Sequence, residues 1–226
     1  MKVKGWLYLF GITLVVHLVA IATDSTLVRF ITKPLLLAFL MAYFIAANKQ
    51  SPLLRNWVLL GLFFSWLGDI FLMNEGDKFF LAGLSSFLIA HILYIIFFLR
   101  VRKQVSPAKP WNIIVLVALS LYVGIFYFFL AKGLNESMKV PVFVYALTIA
   151  TMLACSLHAF GRDWNKTALY CGLGAALFVL SDSVLAINQF LTPFKGAGLA
   201  IMASYALAQY FIATGTTQWL TTGHKP

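Results

Sequence analysis

Apolar runs of about 18 to 25 residues recur along the whole chain, separated by short polar clusters. A helix of roughly 20 apolar residues spans the hydrocarbon core of a bilayer. On that rule the pattern predicts eight transmembrane helices, over 6–23, 28–47, 57–74, 79–99, 111–131, 139–160, 167–191 and 197–220. Strands are excluded, because lipid cannot satisfy an open sheet edge. No polar block is long enough for a second domain. The expected fold class is therefore an all-α membrane protein, with residues 1–226 forming one bundle of eight transmembrane helices.

Two positions break the apolar pattern in a way the rest of the chain does not. Asp69 closes the run Gly61-Leu62-Phe63-Phe64-Ser65-Trp66-Leu67-Gly68, and Asp182 sits inside Phe178-Val179-Leu180-Ser181-Asp182-Ser183-Val184. The other five acidic residues fall in polar breaks. A carboxylate among lipid-facing residues costs several kcal/mol, so its default reading is functional. The alternative is a buried polar staple between helices. Aligning the two aspartates, 113 positions apart, also aligns Gly61 with Gly174, Leu72 with Leu185 and Gly83 with Gly196. These matches suggest a parallel four-plus-four repeat.

Further polar residues fall on helical faces near the pair. Ser65 shares a face with Gly61, Gly68 and Asp69, and small residues there admit a neighbouring helix. His91 and Tyr94 share a face with Phe87 and Ala90, on a helix joined to Asp69's by the link 75–78. Ser181 and Asn188, like Asp182 and Gln189, stand seven apart and form two polar rows. Tyr205 and Gln209 are one turn apart. For all of these, interhelical hydrogen bonding is the structural alternative. Lys33, before Pro34 near the start of helix two, either snorkels to lipid phosphate or meets a substrate phosphate.

Composition removes other classes. The 226 residues are 62% hydrophobic and 11% charged, far from a soluble domain. The net charge of +10 is scattered over the connections, which argues for anionic lipid headgroups and against nucleic acid. Cys155 and Cys171 lie in apolar runs, where no structural disulfide is expected. The first run resembles a signal peptide, but reads as an anchor. Eleven Lys and Arg fall on the side of both termini and six on the other, with the loop 100–110 as the clearest marker. Both termini are thus expected in the cytoplasm of a bacterial inner membrane, with the aspartates in the outer half. The four histidines show no metal spacing, and no cofactor motif appears, so neither a metal nor a cofactor is expected.

Gly68-Asp69, then Phe87-x-x-x-His91-x-x-Tyr94, Gly174-Ala175-x-x-Phe178-x-x-Ser181-Asp182-Ser183 and Tyr205-x-x-x-Gln209, resemble the YhhN-type membrane proteins, the lysoplasmalogenase family. Lys33-Pro34 also fits its second helix. The resemblance covers nearly the whole chain. It implies a lysophospholipid substrate and hydrolysis of the vinyl ether bond of lysoplasmalogens, giving a fatty aldehyde and glycerophosphoethanolamine or glycerophosphocholine. Such a bond hydrolyses by protonation of carbon and capture of an oxocarbenium ion. Two carboxyl groups in a low-dielectric cavity, one protonated and one charged, supply both needs. Asp69 and Asp182 are the expected catalytic pair. Lys33, Ser65, His91, Tyr94, Ser181, Asn188, Tyr205 and Gln209 are the expected supporting residues. The rival reading is a proton-coupled transporter using the same aspartates. Oligomeric state is not legible.

Reporter fusions at the C-terminus and in the link 75–78 should report opposite sides, with the tail inside. A tail found outside overturns the orientation.

Overall fold

The structure is a computed structural model and describes residues 3–49, 52–105, 110–160 and 165–222. Eight helices are present among them: α1 (Val3–Ala22), α2 (Thr26–Ala47), α3 (Pro52–Phe71), α4 (Asp77–Gln104), α5 (Ile113–Leu130), α6 (Glu136–His158), α7 (Lys166–Phe190) and α8 (Ala197–Thr222). Each is long and apolar enough to cross a membrane. The expected spans are all present, with shifted ends. Lys2, Lys109, Arg162, His224 and Lys225, used in the charge and metal arguments, lie outside the described residues.

Three corrections have physical causes. The loop expected over 100–110 is helical as far as Gln104. Cations are favoured in the last turns of a helix, where the carbonyls are unpaired. Here Arg100 lies over the Trp57 ring at 4.9 Å and Arg102 over the Trp111 ring at 4.5 Å. Arg102 also donates to the His158 carbonyl at 2.8 Å, tying α4 to α6. Residues 106–109 of that loop lie outside the described set. Helix α3 starts earlier than expected, so Arg55 belongs to its first turns and donates to the Asn48 carbonyl at 3.1 Å. Pro34 lies in the interior of α2, not near its start. It offers no N–H to the Phe30 carbonyl, and its own carbonyl accepts from the Trp66 indole of α3 at 3.0 Å.

The helices form a closed ring of six. In order, α2 touches α3, α3 touches α4, α4 touches α6, α6 touches α7, α7 touches α8, and α8 returns to α2. Helices α1 and α5 pack outside the ring, α1 on α2 and α8, α5 on α6 and α7. Each is the first helix of its half of the chain: three helices of each half build the ring and one stays outside. The halves are not identical. Helix α3 reaches across to α8, whereas α7 makes no such contact with α4.

Glycines set the tightest crossings. Gly61 and Gly68, seven apart on α3, receive the rings of Tyr94 and Phe87, seven apart on the antiparallel α4. A Cβ on either would stand 2.4 Å and 2.6 Å from those rings. Gly174 does the same for α7, but against backbone: its Cβ would lie 2.9 Å from both the Ala208 carbonyl and the Ile212 amide of α8. Cys155 and Cys171 are buried free thiols.

Because backbone cannot swing aside, Gly174→Val should cost about 1–3 kcal/mol. It should lower the melting temperature in detergent and the yield of folded protein. Gly124→Ala, on the outer helix α5 with open space around it, should leave both unchanged or raised. Equal melting temperatures for Gly174→Val and the parent would contradict this packing.

Candidate active site

Asp69 is in the last turn of α3 and is buried. One carboxylate oxygen, Oδ2, accepts the Tyr205 hydroxyl of α8 at 2.7 Å. The other, Oδ1, stands 3.8 Å from the Lys33 ammonium of α2. Three helices thus meet at one carboxylate, two of them from one half of the chain and one from the other.

Asp182 sits two turns before the end of α7. Its Oδ2 accepts the Tyr145 hydroxyl of α6 and lies 3.7 Å from His91 Nε2 of α4. His91 Nε2 is 3.0 Å from the Tyr145 oxygen. Tyr145 spends its one hydrogen on the carboxylate, so its oxygen accepts from His91 Nε2–H. His91 Nδ1, fully buried and without a partner among the described residues, is then the lone-pair nitrogen. The ring is fixed by edge-to-face contact with Phe178, centroids 4.6 Å apart. Phe178 also packs against Tyr205 and Phe87 at 5.4 Å and 6.3 Å. One aromatic wedge therefore holds both donors in place.

Both aspartates line a single cavity of about 710 Å³. Its walls come from α1 (His17, Ile21), α2 (Arg29, Phe30, Lys33), α3, α4 (Phe80, Phe87), α7 (Ser181, Leu185, Gln189) and α8 (Ile201, Met202, Tyr205). The α3–α4 link contributes Asn74, Glu75, Gly76 and Asp77. The wall is thus mixed, with carboxylates and cations alongside aliphatic and aromatic side chains. Such a chamber suits an amphiphile with a charged head and an apolar chain.

The other residues singled out in the sequence divide into three groups. Ser181 lines the cavity, but its hydroxyl donates to the Ile201 carbonyl at 3.0 Å. Ser65, Tyr94 and Gln209 are buried and do not line it. Tyr94 donates to Gln209 Oε1 at 2.9 Å, while Ser65 Oγ and Gln209 Nε2 have no partner among the described residues. Asn188 is not among the lining residues: it accepts the Phe194 amide at 3.3 Å and holds the α7–α8 link, while Gln189 is on the cavity wall. A polar row read at helical spacing does not say which of two adjacent residues faces inward. Tyr145, Arg29 and His17 were not picked out as site residues. His17 Nδ1 pairs with the Thr32 hydroxyl at 2.7 Å. The only sequence signal for Tyr145 was a tyrosine inside an apolar span, and eight other tyrosines in the chain dilute it. Among the described residues no three His, Cys, Asp or Glu side chains are grouped to hold a metal ion.

Comparison with known proteins adds chemistry to this geometry. The YhhN family model matches residues 28–216. A human lysoplasmalogenase is 30% identical over 197 residues, covering 86% of this chain and 78% of its own. A rat lysoplasmalogenase is 34% identical over 158 residues, covering 70% of this chain and 60% of its own. A Mycobacterium tuberculosis lysoplasmalogenase is 26% identical over 218 residues, covering 94% and 82%. No solved structure matches.

Proposed function

The chain belongs to the YhhN family, and on that footing we propose that it is a lysoplasmalogenase. It is a hydrolase of the membrane. Its substrate is a lysophospholipid with a vinyl ether chain, and its products are a fatty aldehyde and the glycerophospho-headgroup. The observation that supports the catalytic reading is that Asp69 and Asp182 both line one cavity.

The reaction consumes one water. A carboxylic acid gives its proton to the β-carbon of the vinyl ether, and the enol ether oxygen stabilises the resulting cation. A carboxylate opposite stabilises that charge and takes a proton from the attacking water. This gives a hemiacetal, which collapses to aldehyde and free alcohol. Two carboxyl groups of unequal protonation meet both demands, as in glycosidases. Around them Tyr205 and Tyr145 hold the carboxyl oxygens, and His91 holds Tyr145. Lys33 stands on Asp69, so Arg29, one turn nearer the start of α2 and also on the cavity wall, is better placed for the substrate phosphate. Ile21, Phe30, Met202 and Leu185 offer the chain an apolar bed. We place both termini in the cytoplasm of a bacterial inner membrane, on the charge asymmetry of the connections, which opens the cavity outward.

Asp69→Asn and Asp182→Asn keep side-chain shape, so both should insert and fold. Each should lower aldehyde release from a lysoplasmalogen by about a hundredfold or more. The double variant should be little worse than either, because the pair acts as one unit. Activity should survive a chelator. Near-normal release by either folded single variant, or zinc-restorable loss on chelation, would sink the aspartate-pair mechanism.

A further inference from the structure

One polar side chain on the cavity wall takes no part in holding either carboxylate. His17 of α1 is only 2% exposed, yet it lines the chamber. The Thr32 hydroxyl of α2 gives its hydrogen to the Val28 carbonyl at 2.7 Å. The Thr32 oxygen therefore accepts from His17 Nδ1–H, also at 2.7 Å. That bond fixes both the ring and its tautomer, so Nε2 of the neutral imidazole is an acceptor. Among the described residues Nε2 has no hydrogen-bond partner. With Nδ1 turned onto α2, it is the ring nitrogen left for a ligand in the chamber.

An acceptor selects its ligand by what that ligand can donate. The oxygens of a phosphodiester have no hydrogen to give, and neither has an ether. A hydroxyl has one. The register of α2 says where such a hydroxyl would lie. Thr32, which holds His17, stands along the helix between Arg29 and Lys33, and both cations line the chamber. Lys33 is 3.8 Å from Asp69. Arg29 lies three residues before Thr32, about 4.5 Å nearer the start of the helix. The glycerol of a lysophospholipid carries its groups in the same order. Phosphate is on one end carbon, a free hydroxyl on the middle carbon, and the ether chain on the other end.

We infer that His17 is a specificity-determining residue: its Nε2 accepts the free glycerol hydroxyl of the lipid and so selects one-chain over two-chain substrates, with Thr32 as its positioning residue. The inference rests on the proposed function only for the ligand being a lysophospholipid. Acylation of that hydroxyl works against binding twice. It removes the hydrogen, which leaves a buried acceptor unpaired. It also adds a second chain beside α1, whose lining residues are His17 and Ile21. That helix is backed by α2 and α8. A site built around a substrate hydroxyl rejects analogues without it far more strongly than an apolar pocket rejects an extra methylene.

Binding to the full chain in detergent tests this without turnover. The probes are two lysophospholipids with a saturated ether chain, one with the middle hydroxyl and one with hydrogen in its place. The parent should bind the hydroxylated lipid about tenfold more tightly or better. In His17→Phe that preference should vanish, because the hydroxylated lipid binds more weakly while the deoxy lipid binds no worse than to the parent. Thr32→Val releases the ring and should shrink the preference by a smaller factor. It carries the test if His17→Phe does not fold. A purely structural role for His17 would weaken both lipids alike, and that result overturns the inference. So does a preference that survives in His17→Phe, or a parent that binds the two lipids equally or binds neither. Aldehyde release from a lysoplasmalogen is read separately. A protein that tells the two lipids apart through His17 but releases no aldehyde overturns the proposed function alone.

Discussion

A carboxylate cannot stay among hydrocarbon without donors, and the architecture follows from meeting that requirement twice. Asp69 draws α2 and α8 onto α3, and Asp182 draws α4 and α6 onto α7. Those six helices are the ring, and the two that contribute nothing to either carboxylate, α1 and α5, lie outside it. Lipid gives helices little hydrophobic reason to associate, so close packing and interhelical hydrogen bonds must do it. Glycines at positions 61, 68 and 174 bring the backbones near, and the polar contacts then choose the register.

Such a ring also explains how one chamber serves two phases. The headgroup region of a lysophospholipid needs charge and the chain needs none. Arg29, Glu75 and Asp77 line the chamber together with aliphatic and aromatic side chains. The reactive bond of a lysoplasmalogen lies between those regions, at the junction of glycerol and chain.

Much of this was legible in the sequence because membrane spans are written in a strong code. Eight apolar runs gave eight helices, and an aspartate inside such a run is rare enough to point to itself. Lys33, His91 and Tyr205 stood out for the same reason, and all three contact an aspartate or line its cavity. Tyr145 did not, because a tyrosine is amphipathic and common in membrane spans, so only the fold reveals which one turns inward. Asn188 and Gln189 show the opposite error: adjacent polar residues look equivalent at a helix end, yet one caps the link and the other faces the chamber. The charge of the stretch after position 99 suggests a loop, although arginines at a helix C-terminus are stabilised by its carbonyls and here lie over Trp57 and Trp111. The closure of the ring was not readable at all, since which of several apolar faces meet is decided by shape.

The central claim is that a carboxyl proton is delivered to the vinyl carbon by one aspartate while the other stays charged. Hydrolysis of a lysoplasmalogen in deuterated water, with the aldehyde trapped as it forms, tests it directly by mass spectrometry. The account predicts one deuterium on the carbon next to the aldehyde carbonyl. An aldehyde unlabelled at that carbon would contradict it.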